Sequence, residues 1–176
     1  MGEVLVITGP PGAGKSTIAE QVVDTFDPGV LMEGDAFFRF LRKGATDPWK
    51  PEADTQNTVV TAAAAAAVGA FAIGPATIVY EGVLGPWFLP TFFGLSGLAS
   101  ISYAVLLPPI DEVIGRIGDR AGHDFADADA ARRMHDQFSA AGIEARHLFA
   151  NPADEQAETV EAIVAAHRDG TIDITA

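Results

Sequence analysis

Short apolar runs alternate with longer segments of helical periodicity along the whole chain. The apolar runs predict strands at Val4–Thr8, Val30–Glu33, Thr77–Glu81, Ser102–Leu107 and near Arg146–Ala150. The intervening segments predict helices at about Lys15–Phe26, Asp54–Ile73, Trp87–Leu95, Ile110–Arg120, Asp129–Ala141 and Ala153–Arg168. This alternation is typical of an α/β fold in which helices cover both faces of a five-stranded parallel sheet.

Three segments interrupt this regular pattern: Gly44–Pro51, Gly82–Pro90 and Gly122–Ala128. In folds of this class the loops at the carboxyl ends of parallel strands hold the ligands. We therefore expect the three segments to border the functional site.

The most hydrophobic stretch of the chain is Thr58–Ile73, which contains six consecutive alanines at Ala62–Ala67. It is short for a membrane span, and alanine gains little from transfer to lipid. Small side chains allow a helix to approach its neighbours closely. We interpret the stretch as a tightly packed helix and expect no membrane partner.

The first predicted strand runs directly into a glycine-rich loop that matches the pattern G-x-x-x-x-G-K-[ST]. The backbone N–H groups of such a loop surround a polyphosphate, and the following helix adds its positive N-terminal end. Lys15 is expected to reach the outer phosphates and the Ser16 hydroxyl to bind Mg²⁺. The sequence therefore predicts a binding site for ATP and Mg²⁺ formed by Gly9, Pro10, Pro11, Gly12, Ala13, Gly14, Lys15, Ser16 and Thr17.

Composition narrows the possible partners and compartments. A length of 176 residues fits one domain, residues 1–176. The net charge of −13 argues against nucleic acid as the main partner, because phosphate backbones require a basic surface. Cysteine is absent and no N-terminal signal sequence is evident, which favours a cytoplasmic location.

Acidic side chains follow two of the predicted strands. Glu33 and Asp35 end the second strand, and Glu81 ends the third. Phosphoryl transfer requires a group that orients the acceptor hydroxyl and accepts its proton, together with carboxylates that hold Mg²⁺ directly or through water. We assign the acceptor role to Asp35 and water-mediated metal contacts to Glu33 and Glu81, with a catalytic role for Glu81. A helix cap is the alternative interpretation of Asp35.

Four arginines flank the third irregular segment: Arg116, Arg120, Arg132 and Arg133. Arginine stacks on adenine and supplies the charge that a migrating phosphoryl group requires. Each arginine taken alone is more often an ordinary surface charge. As a group they indicate a second wall of the nucleotide site.

Aromatic side chains concentrate in the other two irregular segments and after Asp35, which suggests a partly apolar acceptor pocket. Packing in the core is the alternative for the phenylalanines. Together with nearby polar residues they give the following candidates for acceptor contacts: Asp35, Phe38, Arg39, Trp49, Gln56, Asn57 and Trp87.

These motifs resemble the P-loop kinases that phosphorylate small molecules, the group that includes shikimate, gluconate and adenylylsulfate kinases and chloramphenicol phosphotransferase. The resemblance rests on Gly9–Thr17, on Glu33-x-Asp35 and on Arg116-x-x-x-Arg120. It implies a three-layer α/β/α P-loop fold in which Gly122–Arg133 forms a small lid that closes over ATP. It also implies that Arg116 stacks on adenine and that catalytic Arg120 contacts phosphate.

The sequence therefore predicts an ATP-dependent phosphotransferase that acts on a hydroxyl of a small molecule, as a monomer or homodimer. A nucleoside monophosphate kinase is one alternative, although only Arg39, Arg42 and Lys43 offer positive charge near the acceptor. A nucleotide-dependent switch is another. A GTPase is disfavoured because Asn151-Pro152-Ala153-Asp154 lacks the lysine of the guanine-binding pattern. The identity of the acceptor stays open.

Overall fold

The computed structural model describes residues 2–118 and 127–176. Its centre is a sheet whose strands are ordered β2-β3-β1-β4-β5, all parallel, with a sixth strand antiparallel to β4. The strands are β1 Val4–Thr8, β2 Gly29–Glu33, β3 Thr77–Glu81, β4 Ser100–Leu106, β5 Leu148–Phe149 and β6 Asp173–Thr175.

Helices connect the strands and cover both faces of the sheet. They are α1 Lys15–Val23, α2 Gly34–Arg39, α3 Asp54–Phe71, α4 Leu89–Ser96, α5 Ile110–Gly118, α6 Ala128–Ala140 and α7 Gln156–Arg168. Short 3₁₀ turns precede α3, α4 and β5.

Alternating strand side chains build two separate cores, one on each face of the sheet. In β1, Val4 and Val6 face a core that includes α3 and α4, whereas Leu5 and Ile7 face a core that includes α1 and α7. Because side chains alternate along a strand, a central strand covered on both faces must be apolar at every position. This explains the continuous apolar pattern of β1 and the three-layer arrangement.

The alanine-rich helix α3 packs against the sheet and α4 through its small side chains. Ala64 and Ala65 are buried, and a Cβ added at Gly69 would lie 2.1 Å from the carbonyl oxygen of Ser96. Only glycine permits this approach of the two helices. Within residues 2–118 and 127–176, no helix combines the length and apolar character that crossing a bilayer would require.

The register of the sheet brings the predicted functional residues to one edge. Ile7 of β1 pairs with Glu81 of β3, and Glu81 pairs with Glu33 of β2. The carboxyl ends of these three strands therefore lie side by side, and the phosphate loop follows β1 at the same edge.

The predicted α/β fold is confirmed, and the structure adds two elements that were not among the predicted helices and strands. Helix α2 starts immediately after β2, and β6 adds an antiparallel strand at the C-terminus. The predicted lid falls partly outside the described residues, which resume at Asp127, and Arg120 lies outside them entirely.

Candidate nucleotide and acceptor site

The loop between β1 and α1 has the backbone geometry of an anion-binding nest. Gly12 and Gly14 have φ angles of +82° and +89°, in a backbone region that residues with a Cβ rarely adopt. Lys15 is the first residue of α1, and its Nζ donates to the carbonyl oxygen of Pro10 at 3.1 Å. The lysine ammonium is thus held over the loop at the N-terminal end of the helix, which suits a polyphosphate.

A pair of side chains from distant elements holds this loop in place, and we call it the loop clamp: Asn151 and Arg116. Asn151 Nδ2 and Arg116 Nη1 both donate to the carbonyl oxygen of Ala13, at 2.8 and 3.3 Å. Arg116 Nη2 also donates to the carbonyl oxygen of Asn151 at 2.7 Å and to Glu112 at 3.0 Å. The clamp thus holds the loop at the carbonyl oxygen of Ala13.

Asn151 is a functional candidate that the sequence interpretation missed. Its side chain is 1% exposed, and its backbone φ of +47° places it in the left-handed region. A positive φ favours Asn among residues with a side chain. The sequence contains a signal for this conformation, an Asn that precedes a proline after the last parallel strand. This signal is not part of a functional motif, so it did not identify Asn151 as a functional residue.

Glu81 lies next to the phosphate loop and is 5% exposed. Burial raises the pKa of its carboxyl above the ordinary value, and the charges of Asp35 and Glu33 act in the same direction. Lys15 and a hydrogen bond with Ser16 oppose this rise in pKa. These five groups therefore form one electrostatic unit at the carboxyl ends of β1, β2 and β3. Their hydroxyl and carboxylate oxygens are the hard ligands that Mg²⁺ prefers, so the donor set fits a magnesium ion bound together with phosphate.

Glu33 and Asp35 do not lie on one continuous strand. The strand ends at Glu33, and Asp35 lies in the first turn of α2. No side chain caps this helix by a hydrogen bond, so the capping interpretation of Asp35 has no support from its contacts. Glu33 instead forms an ion pair with Arg39, with 3.2 Å between Oε2 and Nη2.

The segment after Glu81 is fixed to the sheet by two buried hydrogen bonds. Leu84 N donates to Thr8 Oγ1 at 2.8 Å, and the Tyr103 hydroxyl donates to Leu84 O at 2.6 Å. The following Trp87 packs on Phe138 of α6, with ring centroids 5.2 Å apart. The segment therefore presents an aromatic wall in a defined orientation although it is irregular in sequence.

The segment before α3 is held by two side chains that the sequence analysis assigned to acceptor contacts. Gln56 exchanges hydrogen bonds of 2.8 Å with the backbone N and O of Thr46, and Asn57 Nδ2 donates to Pro48 O at 2.7 Å. These bonds fix the loop that carries Trp49. In the described part of the chain, Asn57 Oδ1 is buried without a hydrogen-bond partner.

The phosphate loop, the strand-end carboxylates and the segments that carry Trp49 and Trp87 border one open cavity of about 1450 Å³. Its lining includes every residue predicted to contact the acceptor: Asp35, Phe38, Arg39, Trp49, Gln56, Asn57 and Trp87. The same lining contains Pro11, Gly12, Gly14, Lys15, Ser16, Glu33 and Glu81. The structure thus brings the phosphate loop, the strand-end carboxylates and the aromatic residues together around a single space.

Arg116 borders a second, more open cavity of about 310 Å³, together with Glu112, Gly115, Ala153 and Asp154. Stacking of Arg116 on adenine stays a prediction, as does the phosphate contact of Arg120.

The sequence model of the AAA domain family matches residues 4–142, most of the chain. The chain belongs to this AAA domain family. No curated protein matches the chain. The matched range of this AAA domain protein includes the phosphate loop, both strand-end carboxylates and Arg116, but not Asn151.

Solved structures with the same fold include two kinases. The chain is similar to a gluconokinase from Sinorhizobium meliloti 1021, with 16% identity, a TM-score of 0.63 and coverage of 97% of this chain and 95% of that one. It is also similar to a sugar kinase from Janibacter sp. HTCC2649, with 20% identity, a TM-score of 0.68 and coverage of 96% and 95%. The resemblance to P-loop small-molecule kinases is confirmed at the level of the fold.

A third similar structure belongs to an RNA repair complex, Pnkp1/Rnl/Hen1, with 22% identity and a TM-score of 0.62. The alignment covers 78% of this chain but only 44% of that chain, so this AAA domain protein spans less than half of its length.

Proposed function

We propose that this protein transfers the γ-phosphoryl group of Mg·ATP to a hydroxyl group of a small molecule. The observation that carries the proposal is the continuity of one cavity from the phosphate loop to the strand-end carboxylates and the aromatic wall. A nucleotide gripped at Lys15 and Ser16 and an acceptor lying against Trp49 and Trp87 would meet beside Asp35. The kinases with the same fold support this assignment.

In this mechanism the phosphate loop and Lys15 hold the transferred group, and Asp35 orients the acceptor hydroxyl and takes its proton. Asp35 suits that role because it is exposed to the cavity, whereas Glu81 is buried against Ser16 and Lys15. Phosphoryl transfer depends mainly on positioning and charge stabilisation. Mg²⁺, when bound with the nucleotide, would supply charge neutralisation; Ser16 would hold it directly, and Glu33 and Glu81 would hold it through water.

The nucleoside monophosphate kinase alternative is weaker because its acceptor phosphate requires several cations. Of the three basic residues predicted near the acceptor, Arg39 lines the cavity but is paired with Glu33, and Arg42 and Lys43 are not part of the described lining. Lys50 and Arg133 also line the cavity, and Lys50 is paired with Asp47. A switch protein would hydrolyse ATP slowly and independently of any small acceptor.

The test is ATP consumption by the purified protein in the presence of a panel of hydroxylated compounds. Acceptor-stimulated ADP release supports the proposal, and turnover that is indifferent to every acceptor contradicts it. With an active acceptor, Asp35→Asn should lower kcat by about 10²- to 10⁴-fold while the Kd for Mg·ATP is unchanged. Asp24→Asn is the matched control, since Asp24 lies at the far end of α1 and is exposed.

A further inference from the structure

The charges around the large cavity restrict the kind of acceptor that it accommodates. Its described wall carries five carboxylates, from Glu33, Asp35, Asp47, Asp54 and Glu81. It carries four cationic side chains, from Lys15, Arg39, Lys50 and Arg133. The proposed function commits Lys15 to the nucleotide phosphates and Glu33 and Glu81 to the metal. The described part of the acceptor side then keeps three carboxylates and three cations, so it has no excess of positive charge for an anion.

Two of the three remaining cations are already paired with carboxylates of the same wall. Arg39 Nη2 lies 3.2 Å from Glu33 Oε2, and Lys50 Nζ lies 2.7 Å from Asp47 Oδ2. These pairs are exposed and individually weak. An anionic acceptor that displaced either carboxylate would nevertheless sit beside the released carboxylate, and like charges in contact are strongly unfavourable. The pairs thus oppose binding of phosphate or carboxylate groups.

The remainder of the acceptor side is apolar and aromatic. Trp87 is 44% exposed, and its ring packs against the rings of Phe88 and Phe138. Trp49 faces the same cavity from the loop fixed by Gln56 and Asn57. Indole rings that line a cavity bind apolar rings and cations, the latter through the negative face of the ring. They offer nothing to an anion.

We propose that the acceptor is a hydroxylated molecule that is uncharged or cationic and has an apolar or aromatic portion lying against Trp49 and Trp87. This inference rests on the proposed function and narrows it. It excludes sugar acids, sugar phosphates and nucleotides as acceptors, and it favours amphipathic compounds in which one hydroxyl reaches Asp35 while the apolar portion contacts the aromatic wall.

The first experiment compares acceptors that share a carbon skeleton and differ in charge at one position, with saturating Mg·ATP and ADP release as the readout. Suitable pairs are phenyl β-D-glucoside against phenyl β-D-glucuronide, D-glucamine against D-gluconate, and uridine against uridine 5′-monophosphate. We expect the uncharged or cationic member of any active pair to have a kcat/KM at least about tenfold higher. An anionic member that is equal or better overturns the inference and leaves the proposed function intact. No turnover with any compound contradicts the proposed function itself.

The second experiment needs no active acceptor, because Trp49 and Trp87 are the only two tryptophans of the chain. Quenching of their fluorescence by Cs⁺ and by I⁻ is measured and normalised to N-acetyltryptophanamide in the same buffers. We expect Cs⁺ to quench relatively better than I⁻ by at least about twofold at low ionic strength. Equal or stronger relative quenching by I⁻ overturns the inference.

Matched variants separate the field of the cavity from the net negative charge of the whole protein. Glu33→Gln and Asp47→Asn remove carboxylates of the cavity wall and should each lower the ratio of Cs⁺ to I⁻ quenching. Glu161→Gln removes the same charge from the exposed surface of α7, a helix that packs on the face of the sheet opposite α3 and α4. It should leave the ratio unchanged. An equal effect of all three variants contradicts a local origin of the field.

Discussion

Removal of the Asn151 side chain tests whether the loop clamp orders the phosphate loop. In Asn151→Gly the hydrogen bond from Nδ2 to Ala13 O, 2.8 Å long, is lost while the backbone keeps a residue that tolerates a φ of +47°. A buried acceptor left without a partner costs about 1–3 kcal/mol. Arg116 Nη1 still donates to the same oxygen at 3.3 Å, so we expect about 1–2 kcal/mol.

Two measurements follow from this magnitude. For a chain of this size about 1 kcal/mol corresponds to a change of about 2–4 °C in Tm, so Asn151→Gly should melt about 2–8 °C lower. The nucleotide must then supply the ordering energy that the clamp supplies in the wild type. The Kd for Mg·ATP should therefore rise by up to about 5- to 30-fold, measured by calorimetry.

Asn151→Ala is the matched variant, because it loses the same hydrogen bond and in addition places a Cβ at a positive φ. That conformation costs about 1–2 kcal/mol for an ordinary L-residue. Asn151→Ala should therefore be less stable than Asn151→Gly. The reasoning is refuted if Asn151→Gly melts with the wild type and binds Mg·ATP with unchanged affinity, or if the order of the two variants is reversed.

Three further predictions concern the core of the site and the opposite end of the sheet. Glu81→Gln should have a higher Tm than the wild type at pH 7, because burial raises the pKa of Glu81 in the folded state and its charged form destabilises the fold. This difference in Tm should disappear near pH 4, where the Glu81 carboxyl is protonated in both the folded and the unfolded chain. Calorimetry at the two pH values measures it. Gly34→Ala should lower the free energy of unfolding in urea by about 1–3 kcal/mol, since the added Cβ would lie 2.6 Å from the Tyr80 hydroxyl. Gly94→Ala in α4 is the control: its Cβ would have nothing within 4 Å, so the free energy of unfolding should rise by about 0.4–1 kcal/mol. Burial lowers the pKa of His167 in the folded state, so the unfolded chain takes up a proton at this position first as the pH falls from 7 to 5. The free energy of unfolding of the wild type, measured in urea, should therefore fall more steeply over this range than that of His167→Gln. An equal pH dependence of the two proteins would contradict this.

Strand positions were the part of the fold that the sequence predicted best. β1 and β3 have the predicted ends, and β2 is one residue longer than predicted. These strands are apolar at successive positions because both of their faces are covered, and that pattern differs clearly from a helical one. The weak pattern at Arg146–Ala150 corresponds to the two residues of β5.

The elements that escaped prediction are those fixed by tertiary contacts. Helix α2 is six residues long, and its only signal in the sequence was the alternative interpretation of Asp35 as a helix cap. Strand β6 is three residues long and exists through its pairing with β4. Helix α7 starts at Gln156 and not at the predicted Ala153, after residues that follow Pro152 in a turn.

The phosphate loop was predictable because its pattern is local and specific, and the strand-end carboxylates followed from the topology. The loop clamp was not, because Asn151 acts on a residue 138 positions away in sequence. Gln56 and Asn57 line the predicted cavity, but their hydrogen bonds hold the loop that carries Trp49. Sequence placed these residues in the right region, whereas their contacts depend on the fold.

The central claim is that the loop after β1 binds the triphosphate of a nucleotide. Titration of Mg·ATP into the wild type and into Lys15→Ala, each checked for folding by circular dichroism, tests it most directly. We predict saturable one-site binding by the wild type and a Kd at least about tenfold higher for Lys15→Ala, because a charge-assisted contact with phosphate is lost. A folded wild type that gives no saturable heat, or a variant that binds as tightly, would contradict the account.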